Sequence, residues 1–151
     1  LAPTLPVLAA YQVGSCGRML EMSIAYSNER RQFGRPIGSF QRVQDHIVRI
    51  VNSFDSARWM TYYAASSVDS AAPGAEHACY AAKAIAADAH VEAADAAHEV
   101  HAGVGSDLDF GLTLHSALSR ALHPFLGGPG LYKRVLGTQL ITAEQQALSG
   151  I

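Results

Sequence analysis

Residues 75–102 read AEHACYAAKAIAADAHVEAADAAHEVHA, a stretch without glycine or proline in which alanine, the strongest helix former, outnumbers every other residue. Pro73-Gly74 breaks the chain before it, and Gly103-Val104-Gly105 ends it, with Gly103 placed as the residue just past a helix C-terminus. Working upstream, residues 39–72 are also free of Gly and Pro, and Phe40, Val43, Ile47, Ile50, Phe54 and Ala57 recur at helical spacing behind Ser39, the expected N-cap. Before that, a helix that follows Pro3 and Pro6 is expected to run to about Gln32. The hexapeptide Phe33-Gly34-Arg35-Pro36-Ile37-Gly38 cannot continue it. Downstream, a shorter helix fits Leu112 to Leu122, a Gly-rich interruption covers Gly127 to Gly130, and a last helix spans about Leu131 to Leu148. No segment shows sustained period-two alternation, so no sheet is expected. Helices of ~28 residues are ~42 Å long, and joined by short turns they must pack antiparallel. The expectation is an all-α, up-down four-helix bundle with an extra short helix, its alanine-rich third rod approached closely by its neighbours.

The 151 residues and 16.0 kDa suit one domain, residues 1–151, and leave no room for a two-domain nucleotide-dependent enzyme. A chain 49% hydrophobic and 16% charged can bury a large core. Thirteen acids against eleven bases leave a net charge of -2, so no basic field exists to hold nucleic acid. The sparse charge also fits a surface still partly sticky, as in an excised domain or an oligomer subunit. Cys16 and Cys79 are too few for a disulfide framework, which points to a reducing, cytoplasmic compartment. No apolar run approaches the ~18 residues of a membrane helix. The opening at Leu1, without a methionine, reads as a fragment with something missing upstream.

Two segments carry candidate chemistry. In Arg30-Arg31-Gln32-Phe33-Gly34-Arg35-Pro36-Ile37, guanidinium groups are expected at a helix C-terminus, where the dipole favours cations; they either cap that helix or recognise an anion through bidentate forks, with the Gln41 amide nearby. In His98-Glu99-Val100-His101-Ala102-Gly103-Val104-Gly105, glycines after a helix either make a plain turn or let a ligand approach exposed amides. Asp95-x-x-His98 has the spacing of a carboxylate-bridged di-metal bundle, but no second acid-x-x-His motif exists elsewhere, so no metal is expected; Asp88, Glu92, Asp95 and Glu99 then form a solvated or ion-pairing face. His46, His77, His90, His115 and His123 are scattered and expected at the surface or core edge. Neither cysteine has a basic or His neighbour that would make it a nucleophile.

Together the two segments carry a resemblance. Ala25-Tyr26-x-x-Glu29-Arg30-Arg31-Gln32-Phe33-Gly34-Arg35-Pro36-Ile37-x-x-Phe40-Gln41 resembles the signature region of acyl-CoA dehydrogenases, and Val100-His101-Ala102-Gly103-Val104-Gly105 resembles their second flavin-contacting loop. The resemblance spans essentially the whole chain and corresponds to that family's C-terminal helical domain. It implies assembly through the bundle into homo- or hetero-oligomers, and FAD held mainly by a neighbouring subunit. Arg30, Arg31, Gln32, Phe33 and Gln41 would reach its pyrophosphate and adenine side, with Glu99, Val100, His101, Ala102 and Gly103 on the other. The reaction implied is α,β-dehydrogenation of an acyl-CoA thioester, of fatty acid or sterol side-chain type, with electrons passed to an acceptor protein. Involvement of nucleic acid or membrane is not implied.

The sequence departs from that family in two ways. Glutamine is usual where Glu99 stands and glycine where Ala102 stands, and a carboxylate facing a diphosphate repels it. The family's general base, a carboxylate within reach of the α-proton, is also missing. From Phe110 through Ala143 there is no acid, so the base position falls on Gly128, Pro129 or Leu136 depending on the anchor. The alternative early position falls on Thr4, within an acid-free Leu1 to Leu20, and Glu21 and His123 are the remaining titratable candidates. No catalytic residue is therefore assigned. The expected role is a domain that supplies oligomer contacts and part of an FAD site without its own base, inactive as a fragment. The alternative is a non-catalytic assembly module that supports a partner without binding flavin. The run from Gly103 to Phe110, followed by Leu126-Gly127-Gly128, also resembles a subgroup built from two unlike chains, one of which lacks the base.

Overall fold

A computed structural model describes residues 2–149, with side chains described through Thr142; the two ends of the 1–151 domain expectation lie outside the described residues. The described residues include five α-helices: α1 (Leu5–Glu29), α2 (Gln41–Asp69), α3 (Ala75–His101), α4 (Leu112–Leu122) and α5 (Pro129–Ser149). The all-α bundle is as expected, and α4 has the expected bounds. Contacts give its directions. Leu5 packs near Cys79 and Ala84, while Cys16 and Met19 pack near Ala93 to Ala97, so α1 and α3 run parallel. Ile50 meets the late alanines of α3 and Ala64 the early ones, so α2 runs against both.

The short helix completes the fourth rod. Ser116 meets His98, Arg120 meets Asp95 and His123 meets Asp88, which takes α4 backwards along α3. Lys133 of α5 then continues from the same Asp88, and Leu136 and Leu140 share a hollow with His77. The fourth rod is thus α4 and α5 in succession, interrupted by the glycine-rich segment. Alanine explains why α3 can be central: Ala82, Ala86, Ala93 and Ala97 are fully buried, and small side chains let three neighbours close on one helix.

Four local expectations are corrected. The first helix ends at Glu29 rather than Gln32, because Arg30 turns to extended backbone (φ -67°, ψ 123°). A short antiparallel ladder follows, β1 (Arg31–Gln32) on β2 (Arg35–Pro36), where no sheet was expected. Phe33 and Gly34 form its two-residue turn, both at positive φ (52° and 79°), the conformation a type I′ hairpin demands. Two-residue strands leave no periodicity to read. Ser39 does not cap α2; its hydroxyl donates to the Pro36 carbonyl, and extended Phe40 precedes the helix.

His46 and His90 are buried in the core instead of lying at the surface or its edge. The Ser15 hydroxyl lies 2.7 Å from His90 Nε2 and 2.7 Å from His115 Nδ1, joining α3, α1 and α4. Burial lowers His90 to about 4. It also pushes the Cys16 thiol up to about 12, so that sulfur behaves as a core hydrophobe. No described helix is long and apolar enough to cross a membrane.

Candidate functional site

The hairpin after α1 and the turn after α3 lie at the same end of the bundle, as the parallel course of those helices requires. Between them is an open cleft of about 450 Å³ lined by Tyr26, Arg30, Gln32 and Ile37 on one side and Val100 to Val104 on the other. Of the expected site residues, Arg30, Gln32, Val100, His101, Ala102 and Gly103 line this cleft; Arg31, Phe33, Gln41 and Glu99 do not.

Each side is built by a helix terminus. The Arg30 N–H donates to the Tyr26 carbonyl (2.8 Å), the last bond of α1, and the Arg30 carbonyl accepts from Ile37 N–H (2.8 Å), which closes the base of the hairpin. Arg30 and Arg31 therefore follow the helix rather than sit in its last turn. Gln32 lines the cleft, and its Nε2 donates to the Arg31 carbonyl (2.8 Å). Phe33 is 92% exposed at the tip; its ring meets Phe40 edge-on, and the Arg35 guanidinium lies 4.1 Å from the Phe40 ring centroid. Gln41 is the first residue of α2, and its Nε2 donates to Asp45 Oδ1 (3.0 Å), away from the cleft.

On the other side, the expectation that Gly103 ends α3 is corrected. The residue with positive φ is Ala102 (φ 50°, ψ -134°), a conformation that side-chain-bearing residues adopt only under strain. A 3-10 turn follows over Ala102–Ser106. A Cβ added to Gly103 would meet nothing within 4 Å, so the backbone there is open to a ligand. His101 is 1% exposed and contributes a wall rather than a free imidazole. Its Nδ1–H donates to the Ala97 carbonyl (2.8 Å), and burial holds its pKa below the usual imidazole range. Glu99 is exposed on the outer face of α3.

Charge concentrates on the hairpin side. Arg18, Arg49, Arg58, Arg120 and Lys133 each pair with a carboxylate, whereas Arg30, Arg31, Arg35 and Arg42 form no ion pair among the described residues. Arg30, Arg31 and Arg35 belong to the hairpin segment, which the exposed Glu29 precedes; Arg134 of α5 is likewise without an ion pair among the described residues. The acidic face of α3 divides among its neighbours: Asp88 binds His123 (3.0 Å) and Lys133 (2.6 Å), Glu92 binds Arg49, and Asp95 binds Arg120. Among the described residues, no three metal-ligating side chains converge. Sequence reading did not assign Tyr26, Ile37 or Val104 to the site. Tyr26 stands four residues before Arg30, a helical spacing that was the available signal.

Comparison with known proteins follows this geometry. The family description "Acyl-CoA dehydrogenase, C-terminal domain" matches residues 4–130. A probable acyl-CoA dehydrogenase of Bacillus subtilis, YngJ, is 31% identical over 134 residues, covering 89% of this chain and 35% of the relative. The structure of PigA with FAD and proline superposes with a TM-score of 0.87 at 27% identity over 91% of this chain and 36% of that one. The Tcur3481-Tcur3483 steroid ACAD, in a variant form, gives 0.87 at 26% identity, over 93% and 39% respectively. The chain thus spans little more than a third of each of these proteins.

Proposed function

Because the chain belongs to the acyl-CoA dehydrogenase family, as its C-terminal helical domain, we propose that it supplies one wall of an FAD site, together with subunit contacts, to a cytoplasmic assembly that dehydrogenates acyl-CoA thioesters. The observation that carries this reading is the single cleft shared by Arg30 and Gln32 with the Val100–Gly103 backbone. Its donor set suits a diphosphate. Arg30 has no carboxylate competing for its guanidinium among the described residues, its planar fork matches two phosphate oxygens, and the open peptide at Gly103 allows close approach. PigA, a structural neighbour, was solved with FAD, which supports the choice of ligand.

When bound, the flavin supplies the hydride acceptor of the reaction. This chain's residues bind and orient: Arg30 neutralises phosphate charge, and Gln32 and the Ala102–Gly103 backbone add polar contacts along the cleft. Among the described residues no carboxylate lines the cleft, and none occurs between Phe110 and Ala143 in the sequence, so on this reading the base that takes the α-proton lies outside these segments.

A second reading, an assembly module that binds no flavin, is favoured by Ala102, whose Cβ projects from a strained backbone where the family has glycine. The exposed Trp59, Tyr62 and Tyr63 on α2 suit subunit contact under either reading. Absorbance of the full-length protein co-purified with its partner subunit separates the two. A flavin band lost on Arg30→Ala supports the shared site. A protein without flavin under every partner condition supports the assembly module.

A further inference from the structure

Three rings meet at the cleft, each from a different segment, and two of them, Tyr26 and His101, line it. The His101 ring, at the end of α3, stacks on Tyr26 of α1 with centroids 4.8 Å apart and planes at 26°. Phe110, from the loop between α3 and α4, completes a triangle at 5.1 Å from His101 and 6.1 Å from Tyr26, so each ring touches the other two. This cluster touches both walls through the backbone. The Tyr26 carbonyl accepts the Arg30 N–H that starts the hairpin, and His101 directly precedes Ala102. Gly105 packs against His101 as well: a Cβ there would lie 3.1 Å from His101 Cβ.

Both walls are helix ends, the parts of a helix with unpaired backbone groups and the least protection against local opening. The ladder of the hairpin is only two residues long on each side and cannot set its own position relative to α3. The three-ring contact spans the interval at this end, beyond the packing of Met19 and Met22 on the late alanines of α3.

We propose that His101 is a positioning residue of the cleft: its ring, stacked on Tyr26 and packed against Phe110, couples the hairpin wall at Arg30 to the Ala102–Gly103 wall and fixes the spacing at which a diphosphate-bearing ligand is gripped. The coupling rests on these ring contacts, and the ligand rests on the function proposed above. The ring matters for its shape and stacking, while the Nδ1–H bond to Ala97 stays within α3.

The test uses this chain with hydrogen exchange at residues 30–37 and 100–105 and a titration with ADP as probe. In His101→Ala, exchange rises in both segments together, and ADP binding weakens about tenfold, equivalent to ~1.4 kcal/mol. His101→Phe, which restores the stack without the Nδ1 donor, returns both readouts to near wild type. Were His101→Ala not to fold, Phe110→Ala, altering only the loop side of the ring contact, carries the same prediction. Exchange that rises only in residues 100–105, or a phenylalanine variant no better than the alanine one, overturns the proposal. A wild-type chain that binds no ADP while the two segments still loosen together retains the coupling and rejects the diphosphate reading. A loss of thermal stability with ADP affinity unchanged assigns His101 a merely structural role and overturns the proposal.

Discussion

Lys83 of α3 reaches the end of α4, its Nζ donating to the His123 carbonyl at 3.1 Å and, more weakly, to the Leu122 carbonyl at 3.4 Å. The side chain is 0% exposed, the largest fully buried one among the described residues. A helix C-terminus presents carbonyls without partners and a partial negative charge, and a cation answers both. Burial lowers the Lys83 pKa, opposed by Asp88 nearby. Lys83 therefore holds the junction where the fourth rod passes from α4 to α5.

Replacing Lys83 with Met keeps the chain length and removes the donor. The stranded carbonyls are expected to cost ~1–3 kcal/mol of stability, read from the urea midpoint, with loosening concentrated at residues 122–130 in hydrogen exchange. Unchanged stability and exchange would show that the contact contributes nothing.

Ala102→Gly should stabilise the fold. The alanine sits at φ 50°, ψ -134°, where a Cβ carries strain and glycine carries little. Relief of ~1 kcal/mol is expected, partly offset by the greater freedom of glycine in the unfolded chain. A destabilised variant would mean that the Cβ makes contacts worth more than the strain.

The stability of the bundle should fall in mild acid. Burial lowers His90 to about 4 from 6.5, and burial also lowers His115, with Arg18 adding to the effect. Between those values the unfolded chain takes up a proton that the folded one excludes. The contribution is complete above pH 6.5 and disappears as pH falls toward 4, on the order of 3 kcal/mol for His90. Urea midpoints from pH 7.5 to about 4 measure it, and His90→Gln should flatten the profile.

Glu99→Gln should strengthen diphosphate binding. The carboxylate is exposed on the last turn of α3, one residue before the Val100 wall. Removing like-charge repulsion at that range should improve ADP affinity about threefold at low salt and less at physiological salt, where screening shortens its reach. Equal affinities at low salt would show that Glu99 does not influence the site.

Helix content was legible because it is written locally. The Pro73-Gly74 break, the glycine-free run before it and the alanines after it separate α2 from α3 without knowledge of any contact. Their ends were less so. Ser39 looked like a cap, but its hydroxyl found the Pro36 carbonyl first, and the hairpin between Arg31 and Pro36 is too short to show a pattern. At the site, Arg30 and Gly103 line the cleft that their residue types suggested, whereas Gln41 lies outside its lining, its amide donating to Asp45 one turn on.

Periodicity and breakers determined from the sequence alone that this protein is a set of long rods joined at glycine and proline, since helix propensity acts over a few residues. Only the tertiary structure decided that α1 and α3 run parallel and bring Arg30 and Gly103 to one cleft, that His101 packs against both Tyr26 and Phe110, and that Lys83 is buried against the end of α4. Those facts depend on distances between segments far apart in the chain, which packing sets and local sequence does not encode.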